Sequence, residues 1–287
     1  MTSQPAILER EAARAAQGLP ELIAAAARTA ASVTTGRHAR QRPGRSDTFW
    51  QFRDYAPGDP ASSIDWRQSA RLERRLLVRQ TEWEQPQTYL LWCDGDEDFD
   101  FAGDARPSKR FRGQTIALAL AMVLLRSGER VGLWGGGESP VCGAQSIPSV
   151  AHQLLAPQAD LSGIVPLEGA CTVLLSDFHR PPADLHAAFA RVRQVHGQAI
   201  AVIVEDPLEK AFPYQGATKF EGPAGTRRKR FGDAGSISEA YHAARQDHLM
   251  ALKDAARLPH ETVFFHTTDQ SPNPLVLKLL QHIRGEV

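Results

Sequence analysis

From Thr88 onward, short apolar runs alternate with longer amphipathic stretches. The runs Tyr89 to Cys93, Val131 to Trp134, Cys171 to Leu175, Ala199 to Val204 and Thr262 to Phe265 have the length and β-branched or aromatic content of buried strands. Between them the spacing of apolar positions predicts helices over Lys109 to Ser127, Pro148 to Leu155, Ala183 to His196, Ser236 to Leu258 and Pro274 to Ile283. Strand–helix alternation implies right-handed crossovers, so residues 87–287 should form an α/β domain with an open, mostly parallel sheet and helices on both faces. The stretch Pro207 to Gly235, with Gly216, Gly222, Pro223 and Gly225, breaks the pattern and reads as a long surface loop.

Upstream the texture differs. Ile7 through Ala31 is alanine-rich and is interrupted once, at Gly18-Leu19-Pro20, which predicts two successive helices in an N-terminal segment of residues 1–35. Residues 36–86 carry aromatics, Arg and Asp with few aliphatic runs, the composition of loops and short strands.

Charge and cysteine content narrow the class. Lys and Arg total 33 against 33 Asp and Glu, so no global field draws the chain to nucleic acid or to an anionic membrane. The thiols Cys93, Cys142 and Cys171 are too few and too scattered for a disulfide framework or a zinc site, and each reads as a small core residue. The N-terminus lacks the basic-then-apolar order of a secretory signal. The longest uncharged apolar run, Gln114 to Leu125, falls short of the ~20 residues of a membrane span. These features together predict a cytoplasmic protein.

In an open parallel sheet, ligands bind beyond the carboxyl ends of the strands. Here those ends carry acids: Asp94-Gly95-Asp96-Glu97-Asp98-Phe99-Asp100 after the first strand, Ser176-Asp177 after the third and Glu205-Asp206 after the fourth. Asp94, Asp96 and Asp98 stand at alternate positions. In an extended loop they would converge, and a hard cation with oxygen ligands, Mg²⁺ or Ca²⁺, would relieve their repulsion; a solvated acidic loop without metal is the alternative. An EF-hand fits badly, because Phe99 and Ala105 stand where its loop needs Gly and Glu. Strand-Asp-x-Asp also resembles the first motif of haloacid dehalogenase-like phosphohydrolases, with Asp94 as nucleophile and Asp96 as acid/base on Mg²⁺. Against that enzyme, Glu97 replaces a small residue and no lysine is evidently placed to hold the phosphate. Gly135-Gly136-Gly137 lacks the Lys-Ser/Thr of a P-loop, and no complete catalytic set appears elsewhere.

The segment from Gly44 reads Phe49-Trp50-Gln51-Phe52-Arg53-Asp54-Tyr55-Ala56-Pro57-Gly58-Asp59, then Ile64-Asp65-Trp66 and Ser69-Ala70-Arg71. Pro57-Gly58 suits the centre of a type II turn, and Trp50, Phe52, Tyr55 and Trp66 are bulky enough to anchor a small subdomain. Interleaved Arg and aromatic residues can stack on single-stranded nucleic acid, but the acids among them argue against that use. The phrase closely resembles the signature of the bacterial domain-of-unknown-function fifty-eight family, and the order of elements after it agrees through most of the chain.

That resemblance implies a von Willebrand factor A-like, Rossmann-type three-layer fold and a non-enzymatic role as adaptor or chaperone-like partner of a MoxR-type AAA+ ATPase. It also implies a metal-ion-dependent adhesion site, in which Asp-x-Ser-x-Ser, a Thr and a later Asp hold Mg²⁺ and a partner carboxylate completes the shell. Asp94 matches the first Asp, Asp96 and Asp98 replace the two serines, Asp177 matches the later Asp, and Ser146 is the candidate for the Thr. With up to four carboxylates the site is degenerate, since a divalent ion would leave little attraction for a partner acid. The basic run Arg227, Arg228, Lys229 and Arg230 is a separate candidate partner contact.

Overall fold

The computed structural model describes residues 20–33, 49–56, 59, 61–71, 75–81, 86–103, 107–134, 139–156, 160–163, 166–222 and 228–285. Two compact units are present, one of Met1–His38 with Gln87–Val287, the other of Ala39–Pro86. The first helix, α1 (residues 20–33), begins at Pro20, which is tolerated in a first turn because that turn's N–H groups need no intrahelical partner. The helix expected before Gly18 lies outside the described residues.

The smaller unit is built on β1 (Phe49–Asp54), the single turn α2 (Trp66–Ser69) and β2 (Leu77–Thr81), with β1 and β2 antiparallel. Two signature polar residues lock it. Asp65 caps α2 by accepting the Gln68 N–H at 3.0 Å, and Ser69 Oγ accepts the Leu77 N–H at 2.8 Å. Asp59 Oδ2 accepts the Ala56 N–H at 2.9 Å; Pro57 and Gly58, where a type II turn is expected, lie outside the described residues. Trp50 and Arg53 lie in β1, Phe52 and Tyr55 are half-buried, and Arg71 is exposed. Trp66 is 62% exposed, so it does not anchor the unit; among the described residues the buried positions are Ile64, Ser69, Leu77 and Val78.

The larger unit continues with β3 (Thr88–Cys93), α3 (Lys109–Arg126), β4 (Arg130–Leu133), β5 (Val141–Cys142), α4 (Ile147–Leu155), β6 (Cys171–Ser176), α5 (Pro182–Gln194), β7 (Gln198–Glu205), α6 (Pro207–Ala211), β8 (Thr218–Glu221), β9 (Arg228–Phe231), α7 (Ser238–Lys253), β10 (Glu261–Thr267) and α8 (Asn273–Ile283). Its central sheet has six strands in the order β10-β7-β6-β3-β4-β5, parallel except for β5. Side chains alternate between faces along each strand. Tyr89, Leu91, Cys93, Val173, Leu175, Ile200 and Val202 face α1, α3, α4 and α8 in one core, while Leu90, Trp92, Leu174, Ala201 and Ile203 face α5 and α7 in the other. Strands buried on both faces explain the unbroken apolar runs and the three-layer fold that the sequence pattern predicts.

Two further expectations fail. The stretch after Pro207 is not one loop, because α6 and the antiparallel β8–β9 hairpin organise it around a cluster of Phe212, Tyr214, Phe220, Phe231 and Tyr241 rings. Cys142 is exposed, whereas Cys93 and Cys171 are core residues, and burial pushes the Cys171 thiol up to about 12. No helix among the described residues is long and apolar enough to cross a membrane.

The strand order places the reversal of direction between β3 and β6, since the chain leaves β3 toward β4 on one side and returns at β6 on the other. A crevice opens at such a switch point beyond the carboxyl ends of the strands. Asp94 follows β3, and Asp177 follows β6.

Candidate functional site at the strand ends

Asp94 is 4% exposed and fully engaged. Its Oδ1 accepts the Asp96 N–H at 3.0 Å and its Oδ2 accepts the Ser176 hydroxyl at 2.6 Å. The Arg180 guanidinium approaches Oδ2 to 3.3 Å and also reaches Asp96 Oδ2 at 3.6 Å and Asp160 Oδ1 at 3.1 Å. Burial raises the Asp94 carboxyl above the ordinary range, against the opposing hydrogen bonds from Ser176 and Asp96 and the charge of Arg180.

Asp177 has its own cation. Lys109, at the start of α3 and only 1% exposed at its side chain, donates from Nζ to Asp177 Oδ2 at 2.7 Å and to Glu209 Oε1 at 2.5 Å. Burial alone would lower the Lys109 ammonium, but the charges of Asp177 and Glu209 more than reverse it, so the group lies above the usual lysine range. Burial pushes Asp177 upward, and Lys109, the nearby His179 and their hydrogen bonds outweigh it, leaving Asp177 below the usual range.

The loop carrying Asp177 is held tightly. Ser176 Oγ accepts the Phe178 N–H at 2.9 Å, Asp177 Oδ1 accepts the His179 N–H at 3.1 Å, and Phe178, at φ 50°, takes a left-handed conformation that a bulky residue adopts only when its surroundings impose it. The remaining strand-end acids are likewise used internally. Glu205 pairs with Arg245 of α7. Asp206, fully buried, accepts from Leu208 N at 2.9 Å, Gly103 N at 3.2 Å and Thr268 Oγ1 at 3.1 Å. A Cβ on Gly103 would lie 2.6 Å from Leu208 Cδ1 and 2.7 Å from Asp206 Oδ1, so only glycine fits there without displacing the cap.

The acidic loop does not converge. After Asp96 the backbone turns into a 3-10 helix over Glu97–Asp100 rather than staying extended, so alternate residues no longer share a side. Phe99 is buried, and Glu97, Asp98 and Asp100 are exposed. Asp96 keeps a link to the site through Arg180, with 56% of its side chain exposed, while Asp98 does not join Asp177 in the buried cluster. Ser146 is at the other end of the strands, beside the edge strand β5. It donates to Cys142 O at 3.1 Å, and Cys142 pairs with Arg130 at the start of β4, the amino end of the parallel strands.

Asp177, His179 and Glu209 each offer a ligand atom within 4.8 Å of one another and could hold a metal ion. The imidazole suits a transition ion better than Mg²⁺ or Ca²⁺. Yet the Lys109 ammonium already lies against Asp177 and Glu209, and the two oxygens of Asp94 are taken by an N–H and a hydroxyl. The set Asp94, Asp96, Asp98, Asp177 and Ser146 therefore does not fit the metal of an adhesion site. Sequence reasoning missed Lys109, Arg180, His179 and Glu209. One signal was present: Lys109 and Arg110 open α3 with no acid in its first turn, against the helix dipole, which calls for carboxylates nearby in space.

Of the basic run, Arg227 is outside the described residues and the rest forms β9. Arg228 pairs with Glu221 at 3.1 Å, Lys229 lies 5.0 Å from the Phe231 ring centroid, and Arg230 is exposed. The profile of the family described as Protein of unknown function DUF58 matches residues 51–251. No curated protein matches the chain.

Proposed function

Because the chain belongs to the family of unknown function DUF58, whose profile covers most of its length, we propose that it is a non-enzymatic protein–protein interaction module of von Willebrand A-like type that works with a MoxR-type AAA+ ATPase. The observation that carries this reading is the internal satisfaction of the buried strand-end acids among the described residues. Asp94, Asp177, Glu205 and Asp206 each have a cation, hydroxyl or backbone N–H of the same chain against them. Such groups shape a rigid face and are poorly disposed to react. The face presents Asp96, Glu97, Asp98 and Asp100 to solvent beside Phe101, 38% exposed, a surface for macromolecular contact. β9, with Arg228, Lys229 and Arg230, is a second candidate contact of opposite sign.

The test is a titration of the full chain against the cognate ATPase in its ATP- and ADP-bound states. Saturable binding, weakened at least about tenfold by charge reversal at Asp96 and Asp98, is expected if these exposed acids carry a desolvated part of the contact. No binding in either nucleotide state, by the wild type and by Asp94→Ala alike, would overturn the proposal. The phosphohydrolase alternative requires Asp94 to attack phosphorus, which its bonds to Ser176 and the Asp96 N–H oppose. A phosphate-ester screen with Mg²⁺ is expected to show no turnover. Turnover abolished by Asp94→Asn would replace the interaction reading.

A further inference from the structure

In an adhesion site a divalent ion does two things: it neutralises carboxylates gathered at strand ends, and it ties their loops together. Both are done here by side chains of the chain itself. Lys109 Nζ links Asp177, after β6, to Glu209, in α6, at 2.7 and 2.5 Å. Arg180 links Asp94, after β3, to Asp96 and to Asp160 at 3.3, 3.6 and 3.1 Å. Two single charges thus stand where one double charge would, and each reaches carboxylates from separate segments. The Lys109 side chain is 1% exposed and Arg180 is 21% exposed, so neither is a solvated surface cation that happens to lie near. An ion ligated by Asp177 Oδ2 would sit within about 2–2.6 Å of an oxygen that already holds an ammonium, and like charges so close in a dry site repel strongly.

We propose that Lys109 and Arg180 are resident cations that replace the divalent ion, so that the strand-end face is assembled and held without metal. A partner therefore meets a preformed surface whose shape does not depend on divalent ion concentration, and no open coordination position awaits a partner's carboxylate. The inference concerns the same face as the interaction reading but does not rest on which partner binds it.

The experiment uses the full chain. Wild-type protein stripped with EDTA is expected to keep its Tm when Mg²⁺, Ca²⁺ or Mn²⁺ is added and to give no saturable heat in calorimetric titration. Lys109→Met removes the ammonium from between Asp177 and Glu209 and leaves them with the half-exposed His179 imidazole, 3.4 and 4.0 Å away. Its Tm is expected to fall and to be raised again by Mn²⁺, a rescue lost on adding Asp177→Asn. Saturable ion binding by the wild type, a Tm lowered by chelator, or a Lys109→Met variant as stable as wild type would each overturn the proposal. Should Lys109→Met fail to fold, Lys109→Arg, which keeps the charge, is expected to fold and stay indifferent to metal; a metal-dependent Tm in that variant would also overturn it. An ATPase that fails to bind leaves all of these melts unchanged, so the two readings fail separately.

Discussion

His266 shows how one buried group sets a pH dependence. It is 3% exposed in β10, its Nε2 has no hydrogen-bond partner among the described residues, and burial together with the Arg112 charge lowers it to about 4, with Asp269 acting the other way. On acidification the unfolded chain takes up the proton near 6.5, whereas the folded chain does so only near 4. Stability therefore falls as pH drops from about 6.5 to about 4, by roughly 3 kcal/mol for this residue. Asp94, raised by burial, contributes with the opposite sign on the acid side, and Asp177, lowered, loses its contribution only below the ordinary Asp range. Urea melts across this window should thus be compared between wild type and His266→Phe. A flatter profile in the variant is expected; parallel profiles would assign the slope elsewhere. Lys109 has no part in that window, because a raised lysine loses its contribution only as pH climbs past the ordinary lysine value. Its contribution appears on mutation instead: Lys109→Met should cost about 3–5 kcal/mol by taking the buried ammonium away from buried Asp177 and partly buried Glu209. Adding Glu209→Gln should return part of that loss in a double-mutant cycle.

Local pattern determined the elements better than it determined the site between them. The run Ile116 to Leu125 is apolar on nearly every side, and α3 is accordingly covered almost all round, with Gly113 close beneath Phe99 and Cys93. The 3-10 turn after Asp96 was not legible in the same way, because a four-residue turn around buried Phe99 and an extended acidic loop have the same composition. After β7 a stronger signal than the glycines and prolines is Asp206-Pro207 followed by Glu209. That sequence forms a capping box, with Asp206 accepting from Leu208 N at 2.9 Å and Glu209 Oε2 accepting from Asp206 N at 2.9 Å. Asp206→Ala removes the cap and also strands Gly103 N and Thr268 Oγ1. A loss of about 2–4 kcal/mol is expected, the sum of a cap and one or two buried donors. It should be read as a lower urea midpoint at unchanged m; a loss within about 0.5 kcal/mol would mean that water reaches these donors.

At the scale of the molecule, zero net charge conceals an exposed acidic loop at the strand ends and a basic strand in the β8–β9 hairpin, and sequence position alone gives the sign of each but not its surroundings. Non-local placement was the harder matter throughout. Lys109 and Glu209 are 100 positions apart, and only the crossover topology brings α3 and α6 to one strand-end cluster. The N-terminal helix poses the same question. Read as a separate segment in sequence, α1 places Leu22, Ala26, Ala30 and Val33 along one face, and those residues are part of the core that also holds α3, α4 and α8. A helix so buried should unfold with the sheet rather than before it. Leu22 is fully buried, so Leu22→Ala is expected to lower stability by about 2–4 kcal/mol, the combined cost of lost transfer and a residual cavity. Because α1 shares that core, the variant should still melt in one transition seen alike by far-ultraviolet circular dichroism and by tryptophan fluorescence, with Trp92 and Trp134 buried in the other core as reporters. Two separated transitions, the earlier seen only by circular dichroism, would instead make α1 an independently fraying element and remove it from the structure that holds the strand-end face.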